Sequence, residues 1–163
     1  MRQTWLVSFG RRAMDSEQTL DTAVRLEVYR SFVEQGRAPV PAEVAETLAT
    51  DQASVEAALR RLAEAHELVL APGTPYIWMA PPLSAIPTPF QVTTGGRDLF
   101  AICIWDALGV IAMLGGTGTV RTWCPDCHEP MSVTVADHRL TSGEGVVHFA
   151  VPAAHWWDDI GFT

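Results

Sequence analysis

The sequence predicts an α+β protein in two parts: an N-terminal helical part ending in a hairpin, then a buried helix packed on short, mostly antiparallel strands. Three observations predict it. Apolar residues recur at helical spacing before residue 65, at Leu20, Val24, Val28 and Phe32 and again at Val55, Leu59 and Leu62. Residues 81–90 read PPLSAIPTPF, with four prolines in ten residues, which favours an extended tether over a helix or central strand. Beyond it stands one strongly apolar run, then short β-prone segments separated by turn residues. The implied division is 1–80, a linker over 81–90, and 91–163.

In the first part, the stripe from Leu20 to Phe32 gives a helix over 19–35, with Gly36 as its stop. Pro41 suits the first turn of a second, short helix carrying Val44, Ala45 and Leu48. Asp51 can cap a third helix. Strands follow at 67–70 and 76–80, joined through Pro72 and Gly73. Three helices and a hairpin form the pattern of a winged helix. Its charge argues for a structural cap rather than a DNA reader. Residues 1–80 hold 8 Arg against 11 Asp and Glu, and the third helix sets only Arg60 and Arg61 against Glu56 and Glu64.

In the second part, 97–114 (RDLFAICIWDALGVIAML) is too apolar for a surface helix and is expected to run through the core, capped by Asp98 and ended by Gly115 and Gly116. Strands are expected at 119–123, 131–135 and 146–151. Pro152 then opens a final turn through His155, Trp156 and Trp157.

Composition limits the partners. The chain has 163 residues, 48% of them hydrophobic, enough to bury a core. Its formal charge is −8 and all 11 basic residues are arginine, a balance that argues against nucleic acid and against an anionic membrane surface. The segment 1–14 has no long apolar stretch or small-residue cleavage site, and the longest apolar run is too short to span a bilayer and is interrupted by Asp106. A soluble, cytoplasmic protein is expected. The cysteines are Cys103, Cys124 and Cys127, an odd and sparse set that fits a reducing compartment where thiols bind or react.

Two constellations could do chemistry. Cys103 and Asp106 lie three apart on the expected buried helix, so they share a face. Burial raises a carboxyl pKa, which makes Asp106 a proton donor beside a soft-metal ligand. The plainer alternative is an inert core cysteine and a structural aspartate. Cys124-Pro125-Asp126-Cys127, followed by His128, is a lone CxxC that could hold zinc or another thiophilic metal, or could simply close a turn. The His155–Asp159 segment reads as core completion or pocket lining. The glycine pairs fit no phosphate loop.

Together these features resemble the alkylmercury (organomercurial) lyase family. The likeness rests on PPLSAIPTPF, on FAICIWDALG, on the cysteine segment after that helix, and on the tail VVHFAVPAAHWWDDIGF. It implies that Cys103 and Asp106 are the family's first catalytic cysteine and its aspartate, that Cys124 matches a further cysteine of structural character, and that Cys127 is an addition. The implied reaction is protonolysis of a carbon–mercury bond in a small organometallic or thiol-reactive substrate. It needs no cofactor: Hg(II) is a substrate and product ligand on Cys103. The family's second catalytic cysteine follows a region like WWDDIGF, and none occurs before Thr163. Either that cysteine follows Thr163 in a longer protein or this member lacks it, and in the second case Cys124 or Cys127 would have to supply a second thiolate. Two other functions fit the same features: an enzyme of this fold with a non-mercury substrate, and a winged-helix metal or thiol-reagent sensor.

Overall fold

A computed structural model describes the backbone of residues 4–161 and the side chains from Ser16 onward. The first three residues of the segment read for a leader, and Phe162 and Thr163 of the tail, lie outside the described residues. The chain divides into two compact units, 1–86 and 87–163. Helices and antiparallel strands are both present, as the α+β expectation requires.

The first unit opens with α1 (Thr4–Gln35). Its expected stripe is buried: Val24, Val28 and Phe32 are within 1% of complete burial. The helix begins sixteen residues earlier than the stripe does, and residues 4–18 hold no proline. Next comes α2 (Pro41–Thr47), with proline in its first turn. There the Glu43 carboxylate accepts the Val40 N–H and a double hydrogen bond from Arg37, which push its pKa down to about 2. Asp51 caps α3 (Gln52–Glu64) by accepting the Ser54 N–H at 2.8 Å. Val55, Ala58, Leu59 and Leu62 turn inward from it.

Strands β1 (Val69–Leu70), β2 (Ile77–Ala80) and β3 (Leu83–Ser84) make an antiparallel sheet in that order. The third strand corrects the expectation of an extended tether over 81–90. Ala80 pairs with Leu83 across a tight reversal at Pro81–Pro82, and Leu83 is fully buried. Prolines occupy the corner, where no ladder N–H is needed, and the apolar Leu83 returns to the core.

In the second unit, five antiparallel strands stand in the order β5-β4-β6-β7-β8. These are β4 (Gln91–Thr94), β5 (Arg97–Phe100), β6 (Gly118–Trp123), β7 (Pro130–Ala136) and β8 (Arg139–Ser142). The helix α4 (Ile104–Met113) packs on β4 and β6; Ala107, Val110 and Ile111 of the helix are buried, as are Val92, Leu99 and Val120 of the sheet.

Three expectations fail here. The helix expected over 97–114 starts seven residues late, because 97–100 is a strand. Gly95 and Gly96 both take positive φ and close a two-residue hairpin that pairs Val92 with Leu99. Asp98 therefore caps nothing; it accepts a hydrogen bond from the Thr93 hydroxyl. The helix is also no core-crossing rod, since Trp105 and Met113 are exposed. Third, 146–151 forms no strand despite its valines, and Val146 is 93% exposed. The last strand is instead Arg139–Ser142, turned back by Asp137 and His138, both at positive φ.

Candidate active site at the start of the apolar helix

Cys103 is the N-cap of α4 and not a residue of its interior. Its backbone is extended, and its sulfur takes the role usually held by a serine or aspartate oxygen, accepting the Asp106 N–H at 3.4 Å. Asp106 is the third residue of the helix, where a carboxylate is favoured by the free N–H groups and the helix dipole. The Cys103 thiol donates to the Asp106 Oδ2 at 3.1 Å. A capping-box arrangement thus brings the two reactive groups together. The sequence spacing foresaw the contact for a different reason, a shared helix face.

Both groups are half-buried, and burial dominates their chemistry. Desolvation raises the Cys103 thiol from 9.0 to about 11, with the Asp106 charge and side-chain hydrogen bond adding to the rise and backbone N–H donors opposing it. Burial also raises the Asp106 carboxyl, against the hydrogen bonds it shares with Cys103. At rest the pair is a thiol leaning on a carboxylate, and the proton between them is held locally.

Two apolar hollows adjoin this turn. One, of about 420 Å³, has Ile104 and Leu108 of α4 on one side and Trp123, Met131 and Val133 of the sheet on another. The other, of about 570 Å³, is bounded by Trp105 and by the 149–156 segment. In that segment Phe149 packs on Trp156 with ring centroids 5.4 Å apart, and the Trp156 indole donates to the Val151 carbonyl at 2.8 Å. Pocket lining was one expectation for these tryptophans, and Trp156 does it. Neither Cys103 nor Asp106 lines either hollow; their chain neighbours Ile104 and Trp105 do. Residues 143–148, which complete the wall of the 420 Å³ hollow, belong to no regular element, although 146–151 were expected as a strand.

Cys124 and Cys127 lie on the reversal between β6 and β7. The Cys124 N–H donates to the Glu129 carbonyl and the His128 N–H to the Cys124 carbonyl, so the CPDC turn is closed by its own backbone. All three cysteines are free. N–H donors from Cys127 and Asp126 lower the Cys124 pKa, opposite in direction to Cys103. Among the described residues no three His, Cys, Asp or Glu side chains are placed to hold one metal ion. Cys103 therefore does not share a metal cluster with Cys124 and Cys127.

On α3, Arg60 pairs with Glu56 and Arg61 with Asp21. Both arginines of the helix that would face nucleic acid are engaged within the protein. No helix among the described residues is long and apolar enough to cross a membrane.

The alkylmercury lyase family model matches residues 83–163, which include the Cys103–Asp106 turn, the CPDC turn and the aromatic tail. This chain carries an alkylmercury lyase family domain. Solved structures similar to it include the mercury-bound form of MerB2, at 25% identity and a TM-score of 0.58, over 73% of this chain and 59% of that one. The chain thus spans about three-fifths of that neighbour's length. No curated protein matches the chain at a significant level.

Proposed function

We propose that this protein cleaves carbon–mercury bonds, with Cys103 as the mercury ligand and Asp106 as the proton carrier. The observation that carries the reading is the 3.1 Å hydrogen bond from the Cys103 thiol to the Asp106 carboxylate, within the segment that matches the lyase family. Mercury is the substrate's own atom, so the reaction calls for no resident cofactor.

The chemistry follows from that bond. An organomercury cation is a soft acid that prefers sulfur. As the Hg–S bond forms, the S–H bond breaks and its proton passes to Asp106, the acceptor it already faces. Burial raises the pKa of this carboxyl, which makes it a readier acceptor for that proton. Asp106 then gives the proton to carbon as the C–Hg bond breaks. A hydrocarbon leaves, Hg(II) stays on the Cys103 sulfur, and the carboxylate is regenerated. No electron is lost or gained. A second thiolate on mercury would enrich the carbon in electrons; no described residue is assigned to that role.

The hollow beside Ile104 supports an organic substituent. Its walls are mostly apolar and its volume of about 420 Å³ exceeds the roughly 150 Å³ that suffices for benzene in an apolar protein cavity. A winged-helix role in DNA reading finds no support in α3, whose two arginines are paired. The three-helix and three-strand order of the first unit fits a winged helix used as a structural module. An arylmercury salt tests the proposal: the protein should release the arene stoichiometrically or better, and Cys103→Ser and Asp106→Ala should each end release. Normal turnover by either variant would refute it.

A further inference from the structure

The CPDC turn is unused by the reaction above, yet it is built to hold something. Cys124 and Cys127 are on one closed reversal, with Cys127 exposed and Cys124 half-buried. The reversal is closed by the Cys124 N–H to Glu129 carbonyl and His128 N–H to Cys124 carbonyl bonds, which set the two cysteines three residues apart on one turn. The donor set is two sulfurs and no more, because no third His, Cys, Asp or Glu joins them among the described residues. That set suits zinc poorly, since a structural zinc site takes four ligands. It suits a soft cation content with two sulfurs. Trp123 and Pro125, the chain neighbours of Cys124, also form part of the wall of the 420 Å³ hollow that Ile104 bounds from the Cys103 side.

We propose that Cys124 and Cys127 form a second soft-cation site, distinct from Cys103, that chelates inorganic Hg(II) as a two-coordinate dithiolate. Two Hg–S bonds form, two S–H bonds break, and two protons go to solvent, with no change of oxidation state. The site stands without the lyase reading. Its service as the receiver of Hg(II) left on Cys103 rests on that reading.

The test uses the full chain, reduced, in the Cys103→Ser background, with mercuric chloride as the probe. This separates the site from any lyase activity, because Cys103 is absent. One Hg(II) per chain should bind, mask both remaining thiols, and give a mass increase of one mercury less two hydrogens without a change in gel-filtration position. Replacing Cys127, which is exposed, by serine should weaken retention against a competing monothiol by about 100-fold or more, the usual gain from making a second contact intramolecular. Cys124→Ser should do the same. Three results would overturn the site: one thiol masked per mercury, chains bridged into dimers by the metal, or retention in Cys127→Ser equal to that of the background. Zinc held through gel filtration in preference to mercury would also overturn it, by revealing a fuller ligand set.

Discussion

Replacing Asp106 by asparagine should move two properties of Cys103 in opposite directions. The Cys103 thiol is raised from 9.0 to about 11, first by burial and then by the Asp106 hydrogen bond and charge. At pH 8 a group at 11 is about 0.1% thiolate and one at 9.0 about 9%, so burial and Asp106 together cut thiolate by about 100-fold. The more basic thiolate is intrinsically more nucleophilic by about eightfold over two pH units. Alkylation of Cys103 at pH 8 should therefore run about tenfold slower than that of an ordinary exposed thiol. Asparagine removes the charge and leaves a neutral, weaker acceptor, with the burial unchanged. Its Cys103 should titrate between 9.0 and 11. For a midpoint one pH unit lower, thiolate rises about tenfold, nucleophilicity falls about threefold, and labelling quickens about threefold. Arene release from an arylmercury salt should stop in the same variant, since no proton carrier remains. The assay is the pH dependence of iodoacetamide labelling, read cysteine by cysteine by peptide mass spectrometry. An unchanged or slower Cys103 in Asp106→Asn, or a wild-type Cys103 that labels as fast as Cys127 at pH 8, would refute the reasoning.

Other outcomes follow from the packing and the turns. Within one labelling series at neutral pH, Cys124 should react ahead of Cys103, because N–H donors lower the first and burial raises the second; the reverse order would contradict both assignments. Leu99→Ala empties a fully buried position in β5 and should cost about 2–5 kcal/mol in denaturant unfolding. Gly118→Ala would press a methyl to 2.7 Å from the Thr93 carbonyl oxygen, inside the β4–β6 ladder, and should destabilise the second unit measurably. Asp51→Ala removes the α3 cap and should lower the denaturant midpoint of unfolding.

The parts of the fold that were legible in the sequence are those with a local cause. The stripe of Val24, Val28 and Phe32, the cap at Asp51 and the proline at the head of α2 each act within a few residues, and each is where the pattern placed it. Elements decided by distant partners were misread. Arg97–Phe100 is continuous in composition with the apolar helix after it, and only pairing with Gln91–Thr94 makes it a strand. The valines of 146–151 have strand propensity but no neighbouring strand to pair with, so they stay irregular. Leu83 shows the converse, a strand residue inside a proline-rich stretch that the composition marks as tether.

The candidate site was legible for a reason the spacing could not distinguish. A separation of three residues brings two side chains together inside a helix, and it also joins an N-cap to the third helical residue. The second geometry applies, and it matters chemically. A cysteine inside α4 would have its backbone N–H and side chain committed to helix packing; as N-cap, Cys103 receives the Asp106 amide and gives its proton to the Asp106 carboxylate. The hollow beside Ile104 was not legible, because part of its wall is the irregular 143–148 segment, whose valines were expected in a strand.

The central claim is that one proton, held between Cys103 and Asp106, ends on the substrate carbon. Phenylmercury acetate in deuterium oxide tests it most directly, with headspace mass spectrometry of the released hydrocarbon. The account predicts monodeuterated benzene from the wild-type protein and none above the buffer rate from Cys103→Ser or Asp106→Asn. Benzene released by Asp106→Asn at the wild-type rate, or mercury captured by the wild-type protein with the phenyl group still attached, would contradict it.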